Sequence, residues 1–328
     1  MPAQPVVVVL HDGRLPPDEV MAPVAARAEL RPTEEAGLAG ALRGADVLFA
    51  YDFLSTAVPD AWHAAGSLQW LHVAAAGVNA VMSPQVRESD VVVTNSRGIF
   101  EEPIAEYVLA QVLSFAKDLP GSLRLQQQHR WEHRESERVA GTRALVVGTG
   151  PIGRAIARLL RAAGVEVHGS GRRSRRDDPD FTTVTDAAAL TAELGRADWV
   201  VAAPPLTDAT RGMFDAAAFA AMAPHARFVN VGRGELVRTD DLVAALRDGH
   251  IAGAALDVVD PEPLPPGHEL WELPNVVVTP HSSGDVHGWR EALTELFVDN
   301  FLRWVEGRPL RHVVDKSLGY VPSTGSRP

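Results

Sequence analysis

Three glycines with the spacing G-x-G-x-x-G follow a short apolar run in the segment VVGTGPIGR at positions 146–154. In this pattern the first glycine allows a tight turn, the second lets backbone N–H groups approach phosphate, and the third lets the next helix pack on the strand. The positive end of that helix then faces a diphosphate. Glycine-rich turns also occur for steric reasons alone, but strand, turn and helix stand here in the required order. The segment therefore predicts a dinucleotide site made by Gly148, Gly150, Pro151, Ile152 and Gly153.

Three later strand ends carry an arginine, a glutamate and a histidine. Arg233 stands between two glycines after the run FVNV, Glu262 lies in VVDPEPLP after a strand that ends at Asp257, and His281 follows VVVTP. Taken singly, such an arginine is more often a surface residue or part of a structural salt bridge, such a glutamate is more often solvated, and such a histidine is more often structural. Carboxyl ends of parallel strands meet at one edge of a sheet, where α/β proteins bind ligands, so the three together predict a reaction centre.

The residue types suit the reduction of a 2-oxo acid. Such a reaction needs a cation that holds the carboxylate and polarises the ketone, a hydride donor, and an acid that protonates the developing alkoxide. Arg233 suits the first role, because its planar guanidinium matches a carboxylate, and His281 suits the last. Glu262 is the candidate carboxylate that stabilises the imidazolium. In the oxidative direction, neutral His281 would accept the hydroxyl proton.

The position that usually selects the cofactor carries glycine. About 20 residues after the glycine turn, an Asp or Glu commonly binds the ribose of a cofactor that lacks a 2′-phosphate. Here Gly171 stands at that position, followed by Arg172, Arg173 and Ser174. Glycine at this position has no carboxylate that would repel a 2′-phosphate. Arginines can donate charge-assisted hydrogen bonds to a 2′-phosphate. The sequence favours NADP over NAD, with a solvated surface loop as the alternative.

Composition excludes several classes of protein. The 328 residues carry 31 Lys and Arg against 42 Asp and Glu, a formal net charge of −11, which argues against a nucleic-acid-binding surface. The chain has no cysteine, so thiolate metal sites and a cysteine nucleophile are excluded. His129 and His133 are four apart but lack a third ligand, and we expect no metal site. The apolar run Val6–Leu10 is too short for a signal peptide or a membrane span, which is compatible with a cytoplasmic protein.

Short apolar runs alternate with helical stretches along the chain, which predicts doubly wound parallel sheets. A first series of predicted strands comprises Val6–Leu10, Asp46–Ala50, Gln69–Val73 and Val91–Thr94. A second series comprises Ala144–Val147, Val165–His168, Trp199–Ala203, Phe228–Val231, Gly253–Leu256 and Val276–Thr279. The length and the two series predict two domains.

Two amphipathic helices flank the second series. The first opens at Glu101 and Glu102, before Pro103, and places on one face Ile104, Val108, Leu109, Val112 and Leu113. The second repeats apolar residues at spacings of three and four, at Trp289, Leu293, Leu296, Phe297, Phe301 and Trp304. Between them, residues 123–138 are predicted as a charged helix, either an arm that packs on a second subunit or an exposed surface element. The last residues, 321–328, are rich in Pro, Ser and Gly and are predicted to be disordered.

The motifs resemble those of the D-isomer-specific 2-hydroxyacid dehydrogenase family. The matching segments span roughly residues 70–300 and stand in the family's order: AAAGVNAV, TNSRGIFEEPIAEYVLA, GTGPIGRAIARLL, PPLTDATRGMF, FVNVGRGELV, AALDVVDPEPLP and HELWELPNVVVTPH. The resemblance implies that Arg233, Glu262 and His281 are catalytic. It also implies that Asp257 holds the nicotinamide carboxamide. Gly171 with Arg172 departs from the acidic residue of many members, which puts NAD use in doubt.

The resemblance further assigns the remaining site residues. The substrate carboxylate is expected on the loop Gly77, Val78 and Asn79, through its backbone N–H groups. The cofactor is expected along Pro204, Thr210, Asn230, Ser283 and Gly284. We expect glyoxylate or hydroxypyruvate reductase-like activity with NADP, or with NAD, in a homodimer. The alternatives are a dehydrogenase of phosphoglycerate or formate, and a non-catalytic nucleotide-binding corepressor-like module.

These observations predict an α/β protein of two doubly wound parallel-sheet domains. A Rossmann cofactor domain, residues 100–284, is expected to be inserted in a discontinuous flavodoxin-like substrate domain, residues 1–99 plus 285–328. The insertion follows from the C-terminal helix, which we expect to return the chain to the first domain.

Overall fold

The computed structural model describes residues 4–322, so positions 323–328 of the predicted disordered tail lie outside the described residues. The chain divides into two compact units. The first unit contains residues 4–99 and 287–322, and the second unit contains Phe100–Val286. The chain thus passes between the units at 99/100 and at 286/287, whereas the sequence placed the second passage at 284/285.

The first unit is built on a five-stranded parallel sheet in the order β2-β1-β3-β4-β5. Its strands are β1 Val6–Leu10, β2 Glu29–Thr33, β3 Val47–Ala50, β4 Trp70–Val73 and β5 Val92–Asn95. This order is that of a flavodoxin-like sheet and confirms the predicted fold class. The sequence missed β2, ELRPT, because this edge strand buries none of its side chains and contains Pro32.

Helices cover the faces of this sheet. Those before residue 100 are α1 Asp18–Ala25, α2 Leu38–Ala41, α3 Ala57–Ala61 and α4 Pro84–Glu88. The C-terminal helix, Trp289–Val305, belongs to the same unit and buries Leu293, Phe297 and Phe301 completely. The Phe297 ring stacks on Phe49 of β3, with centroids 4.0 Å apart. The predicted apolar stripe of this helix is thus a core face, as expected for spacings of three and four.

The second unit contains a seven-stranded parallel sheet in the order β12-β11-β10-β9-β6-β7-β8. Its strands are β6 Arg143–Val147, β7 Glu166–Ser170, β8 Val184–Thr185, β9 Trp199–Ala202, β10 Arg227–Asn230, β11 Gly253–Leu256 and β12 Val276–Val278. The order reverses at β6, where the neighbouring strands are β7 and β9, and this is the topology of a Rossmann domain. Six of these strands were predicted, and the two-residue β8 was too short to give a pattern.

The helices of the second unit are α5 Glu101–Ala116, α6 Leu119–Gln127, α7 Pro151–Ala162, α8 Leu190–Leu194, α9 Ala216–Ala221 and α10 Thr239–Arg247. Helix α5 begins at the predicted residue and buries Ile104, Val108 and Val112, but Leu113 is exposed. The helix predicted over 123–138 ends at Gln127, because His129 takes a left-handed conformation with φ 54°. Residues 130–138 form neither helix nor strand.

Two further properties concern the described part of the chain as a whole. Within residues 4–322, no helix is both long and apolar enough to cross a membrane. The same residues contain no group of three His, Asp or Glu side chains placed to hold a metal ion.

Candidate active site

The glycine loop joins β6 to α7 at the point where the strand order reverses. Gly148 has φ 105°, and a Cβ atom there would lie 2.5 Å from the carbonyl oxygen of Ala203. A Cβ at Gly153 would lie 1.9 Å from the oxygen of Gly148. Backbone contact therefore requires glycine at both positions. A Cβ at Gly150 would meet no atom within 4 Å, so this glycine is not required by the protein's own packing.

This loop has the geometry that a pyrophosphate needs. Helix α7 begins at Pro151 after Gly150, and no side chain caps its first N–H groups. Uncapped N–H groups and the helix dipole attract an anion, and the bare Gly150 leaves the space for its approach. The half-buried Pro151 and Ile152 form the first turn, while Gly153 is buried against β6. The residues present thus fit a dinucleotide cofactor.

The arginine-rich loop follows β7 directly. Gly171 is half-buried, and a Cβ there would lie 2.7 Å from the Thr149 hydroxyl of the glycine loop. Arg172, Arg173 and Ser174 are exposed and follow Gly171 directly. The position that commonly carries an acidic residue therefore has no side chain. Three residues whose side chains can donate hydrogen bonds follow it.

Ion pairs that the sequence did not predict anchor this loop. Arg175 donates from Nη2 to the Thr149 hydroxyl, 3.1 Å away, and its Nε lies 3.2 Å from Oδ2 of Asp178. Arg154 of α7 binds Asp178 through two nitrogens, at 2.9 and 2.8 Å, and Asp180 at 2.7 Å. The exposed arginines at 172 and 173 thus stand on a loop tied to the first turns of α7.

The charges in this anchor stabilise each other. Burial acts to raise the pKa of Asp178, but the hydrogen bonds and charge of Arg154 outweigh it and hold the pKa below its usual value. The hydrogen bonds that Arg154 donates to Asp178 are the main cause that raises the pKa of Arg154. Arg154 directly follows the glycine pattern, but no spacing rule pairs it with acids more than 20 residues later, so no local pattern predicts this anchor.

Three residues expected along the cofactor site shape the loops after β9 and β10. Pro204 is buried, and its backbone nitrogen would lie 2.6 Å from a Cβ at Gly148. The Thr210 hydroxyl donates to the carbonyl of Pro205 at 2.7 Å and accepts from the N–H of Thr207, which closes the loop 204–210. Asn230, 1% exposed, donates to the carbonyl of Arg233 and accepts from the N–H of Gly232. Its amide therefore orients the segment that carries Arg233.

Arg233 lies beside the loop of Glu262. A Cβ at Gly234 would lie 1.9 Å from the carbonyl oxygen of Val259. The backbone of the loop after β10 therefore lies in direct contact with the backbone of the loop after β11. The guanidinium of Arg233 donates from Nη1 to the carbonyl of Gly232 at 2.7 Å. Burial lowers the pKa of Arg233 below its usual value, and the charges of Glu235 and Glu262 act in the opposite direction. An arginine remains a cation even so, and a desolvated cation favours an anionic partner.

Glu262 and His281 meet although 19 positions separate them. Nδ1 of His281 lies 2.7 Å from Oε1 of Glu262, and the two side chains are 24% and 35% exposed. His281 itself has φ 52°, a left-handed conformation that a non-glycine residue seldom takes and that is often found at functional sites. The structure therefore brings the predicted histidine and carboxylate into direct contact.

Asp257 holds the loop that presents this histidine. Its carbonyl accepts the N–H of His281 at 2.8 Å. Its carboxylate, 1% exposed, accepts the N–H groups of Ser282 and Ser283 at 3.0 Å and the hydroxyl of Thr279 at 2.6 Å. Ser283 and Gly284 are buried, and a Cβ at Gly284 would lie 2.7 Å from the Phe100 ring. The role of Asp257 in positioning this loop was not predicted from the sequence.

The loop 77–79 belongs to the first unit and follows β4. Val78 is 2% exposed and lies in the core, whereas Gly77 is half-buried and Asn79 is exposed. Within the described residues, the N–H groups of Gly77 and Val78 donate to no protein acceptor. Such a pair of backbone donors is suited to an anion.

Sequence comparison identifies the family. The model of the D-isomer-specific 2-hydroxyacid dehydrogenase NAD-binding domain matches residues 109–283. A human glyoxylate reductase/hydroxypyruvate reductase is 30% identical over 258 residues, which cover 75% of this chain and 77% of the human protein. An uncharacterised Streptomyces coelicolor protein is 40% identical over 67% of this chain and 79% of its own length.

Solved structures agree with this assignment. An NADPH-dependent glyoxylate/hydroxypyruvate reductase of Sinorhizobium meliloti, solved with NADP and sulfate, has a TM-score of 0.82 and 32% identity, and the match covers 97% of this chain and all of that one. A D-isomer-specific 2-hydroxyacid dehydrogenase of Xanthobacter autotrophicus, solved with NADPH, has a TM-score of 0.80 and 31% identity, with 97% and 100% coverage. The chain therefore belongs to the D-isomer-specific 2-hydroxyacid dehydrogenase family, as an oxidoreductase that uses NADP or NAD to interconvert 2-oxo and 2-hydroxy acids.

Proposed function

We propose that the protein reduces small 2-oxo acids of the glyoxylate and hydroxypyruvate class, with NADPH preferred over NADH. The observation that supports this most strongly is the 2.7 Å contact between His281 and Glu262 in the same unit that carries the glycine loop and Arg233. An acid–base pair, a half-buried guanidinium and a dinucleotide loop are the parts that the reaction needs.

His281 is proposed as the proton donor. An ionised Glu262 can only accept a hydrogen bond, so Nδ1 of His281 carries the hydrogen between them. The tautomer that remains when the ring is neutral has Nε2 as an acceptor, and the protonated ring has Nε2 as a donor. Nε2 therefore donates the proton to the developing alkoxide during reduction and accepts the hydroxyl proton during oxidation.

Arg233 is proposed to bind the substrate carboxylate and to polarise its ketone. The bound NADPH supplies the hydride. The guanidinium is held by the Gly232 carbonyl and desolvated by its surroundings, which strengthens its attraction for an anion. Charge that develops on the ketone oxygen is then stabilised by a cation already in place, which lowers the barrier without reorganisation.

The NADPH preference rests on the arginine loop. Gly171 offers no carboxylate to the ribose, and Arg172, Arg173 and Ser174 are exposed on a loop anchored through Arg175. A charge-assisted hydrogen bond to the 2′-phosphate is stronger than a neutral one. The S. meliloti relative is named as NADPH-dependent and was solved with NADP.

Other assignments stay predictions with partial support. The N–H groups of Gly77 and Val78 are suited to a substrate carboxylate, and the first unit is assigned to the substrate on that basis. Asp257, Ser283, Gly284, Pro204, Thr210 and Asn230 are assigned to the cofactor from the resemblance. The homodimer and the cytoplasmic location are likewise predictions.

A panel of substrates tests the proposal. NADPH and NADH oxidation would be measured in parallel with glyoxylate, hydroxypyruvate, pyruvate and phenylpyruvate. We expect the highest kcat/KM with glyoxylate or hydroxypyruvate and NADPH. A preference for phenylpyruvate would contradict the size class, a higher kcat/KM with NADH would contradict the cofactor preference, and no turnover with any of the four would contradict the function.

A further inference from the structure

Helix α5 contributes a tyrosine to the loop that presents His281. The phenol oxygen of Tyr107 lies 2.8 Å from the hydroxyl of Thr279, which stands two residues before His281. The same Thr279 hydroxyl lies 2.6 Å from Oδ1 of Asp257. A chain of hydrogen bonds thus runs from the helix through the threonine to the carboxylate that holds the loop.

The direction of these hydrogen bonds follows from the chemistry of the groups. A carboxylate only accepts, so Thr279 donates its single hydroxyl hydrogen to Asp257. The Thr279 oxygen can then only accept from Tyr107, and the phenol is the donor. Burial is the main cause that raises the pKa of Tyr107 to about 12, so the phenol keeps its hydrogen at any pH at which the protein works.

The carboxylate at the end of this chain has little freedom left. Oδ1 of Asp257 accepts from Thr279 and from the N–H of Ser282, and Oδ2 accepts from the N–H of Ser283. Rotation of the carboxylate would break its hydrogen bonds to the N–H groups of Ser282 and Ser283. His281 lies between these contacts in a left-handed conformation that only its surroundings maintain.

We propose that Tyr107 is a positioning residue for the reaction, which fixes the Asp257 carboxylate through Thr279 and thereby the loop that holds His281 against Glu262. Phe100, on the same side of α5, packs against Gly284 at the other end of this loop. The helix therefore supports the loop at both ends, through a hydrogen bond at Thr279 and through apolar contact at Gly284. This inference rests on the proposed function of His281.

Tyr107→Phe removes the phenol hydroxyl and leaves the ring in place. The first measurement needs no cofactor and no activity: hydrogen–deuterium exchange of the peptide that contains residues 279–284 in the full-length protein. We expect about tenfold faster exchange of the Ser282 and Ser283 amides, since both donate to the Asp257 carboxylate and loosening of that carboxylate opens them locally. Unchanged exchange would overturn the inference, whether or not the protein reduces 2-oxo acids.

The second measurement is steady-state kinetics with the best oxo acid of the panel. We expect kcat for Tyr107→Phe about 5- to 50-fold lower with KM for the oxo acid within about twofold, because a misplaced acid impairs proton transfer more than binding. Thr279→Val should lower kcat as Tyr107→Phe does. The double variant should have a kcat no lower than that of Thr279→Val alone. Thr279→Ser keeps the hydroxyl and should therefore retain most of the wild-type kcat. Faster exchange with unchanged kcat would overturn the positioning role.

A matched control separates positioning from general loss of stability. Thr142 accepts a hydrogen bond from Nε1 of Trp199 at 3.0 Å, in the same unit but immediately before the amino end of β6. Thr142→Val removes a hydroxyl that, like that of Thr279, is half-buried and hydrogen-bonded. It should leave both the exchange of residues 279–284 and kcat unchanged, and an equal effect of Thr142→Val would overturn the inference. If the wild-type protein turned over none of the oxo acids, the proposed function would fail, while the exchange measurements would still decide whether Tyr107 holds the loop.

Discussion

Oε1 of Glu262 lies 2.7 Å from Nδ1 of His281, and the two side chains come from loops after different strands, β11 and β12. Both side chains are partly exposed, at 35% and 24%, so solvent screens this pair and it contributes little to stability. Its value is geometric, because it fixes the ring orientation and the nitrogen that carries the hydrogen.

Replacement of this histidine should affect turnover far more than binding. We expect His281→Ala to lower kcat by about 10²–10⁴-fold, the usual contribution of a positioned acid–base group, with a near-normal Kd for NADPH. The measurement is kcat with the best oxo acid, together with NADPH binding followed by fluorescence. His287→Ala, at an exposed position six residues later, is the control. Near-full activity of His281→Ala would remove this residue from the mechanism.

Binding of the oxo acid at position 233 should depend on the shape of the side chain as well as on its charge. Arg233→Lys keeps the positive charge, but lysine cannot reproduce the planar pair of donors that matches a carboxylate. We expect a KM for the oxo acid raised by about tenfold or more, the equivalent of one charge-assisted hydrogen bond of about 1.5–3 kcal/mol. Steady-state kinetics over a range of oxo acid concentrations measures this, and an unchanged KM would count against contact with the carboxylate.

The charge of the arginine loop should select the cofactor. We expect Arg172→Asp to lower the ratio of kcat/KM for NADPH to that for NADH by at least about tenfold, since the carboxylate repels a 2′-phosphate and can bind a ribose hydroxyl. Arg176→Asp makes the same charge change on the same exposed loop and serves as the control. Equal shifts in both variants would mean that the loop acts only through its net charge.

Two glycines of the same loop should respond differently to alanine. A Cβ at Gly153 would lie 1.9 Å from a backbone oxygen, so Gly153→Ala must move the backbone and should lower the Tm markedly. A Cβ at Gly150 would meet no protein atom within 4 Å, and Gly150→Ala should keep the wild-type Tm. We nevertheless expect Gly150→Ala to weaken NADPH binding by about tenfold or more, because its methyl group occupies the space through which a pyrophosphate approaches the N–H groups. Thermal unfolding and NADPH titration of both variants separate the two roles, and wild-type affinity in Gly150→Ala would place the pyrophosphate elsewhere.

Much of this architecture follows from local patterns in the sequence. Most of the ten predicted strands are runs of largely buried apolar residues, and such runs are visible because central parallel strands are covered on both faces. The meeting of Glu262 with His281 could be anticipated for the same reason, since parallel neighbours place their following loops at one edge. Strand β2 escaped prediction because it lies at the edge of its sheet and buries no side chain.

Other features depend on contacts that no local pattern encodes. Tyr107 and Thr279 are 172 positions apart, and their hydrogen bond exists only because α5 packs beside the loop after β12. The anchor of Arg154 on Asp178 and Asp180 depends on how an irregular loop folds back. The left-handed conformation of His281 and the inward carboxylate of Asp257 are likewise products of tertiary structure.

A buried histidine in the first unit makes stability depend on pH. His72 on β4 is fully buried beside the rings of Phe49, Trp70 and Phe297, and its Nδ1 lies 2.7 Å from the Thr94 hydroxyl. Burial, with a smaller contribution from the charge of His312, lowers the pKa of His72 from 6.5 to about 3.

The sign of the effect follows from linkage. Above pH 6.5 the imidazole of His72 binds no proton in either the folded or the unfolded chain. In this range His72 therefore does not make the free energy of unfolding depend on pH. Between pH 6.5 and 3 only the unfolded chain binds it, so the free energy of unfolding falls as the pH is lowered, by up to about 1.4 kcal/mol per pH unit from this group. We expect His72→Gln, measured by urea unfolding of the full-length protein between pH 7 and pH 5, to lose less stability on acidification than the wild type. His63→Gln, at an exposed histidine of the same unit, should keep the wild-type pH dependence. Equal slopes for the wild type and His72→Gln would mean that His72 takes up its proton in the folded protein as readily as in the unfolded chain.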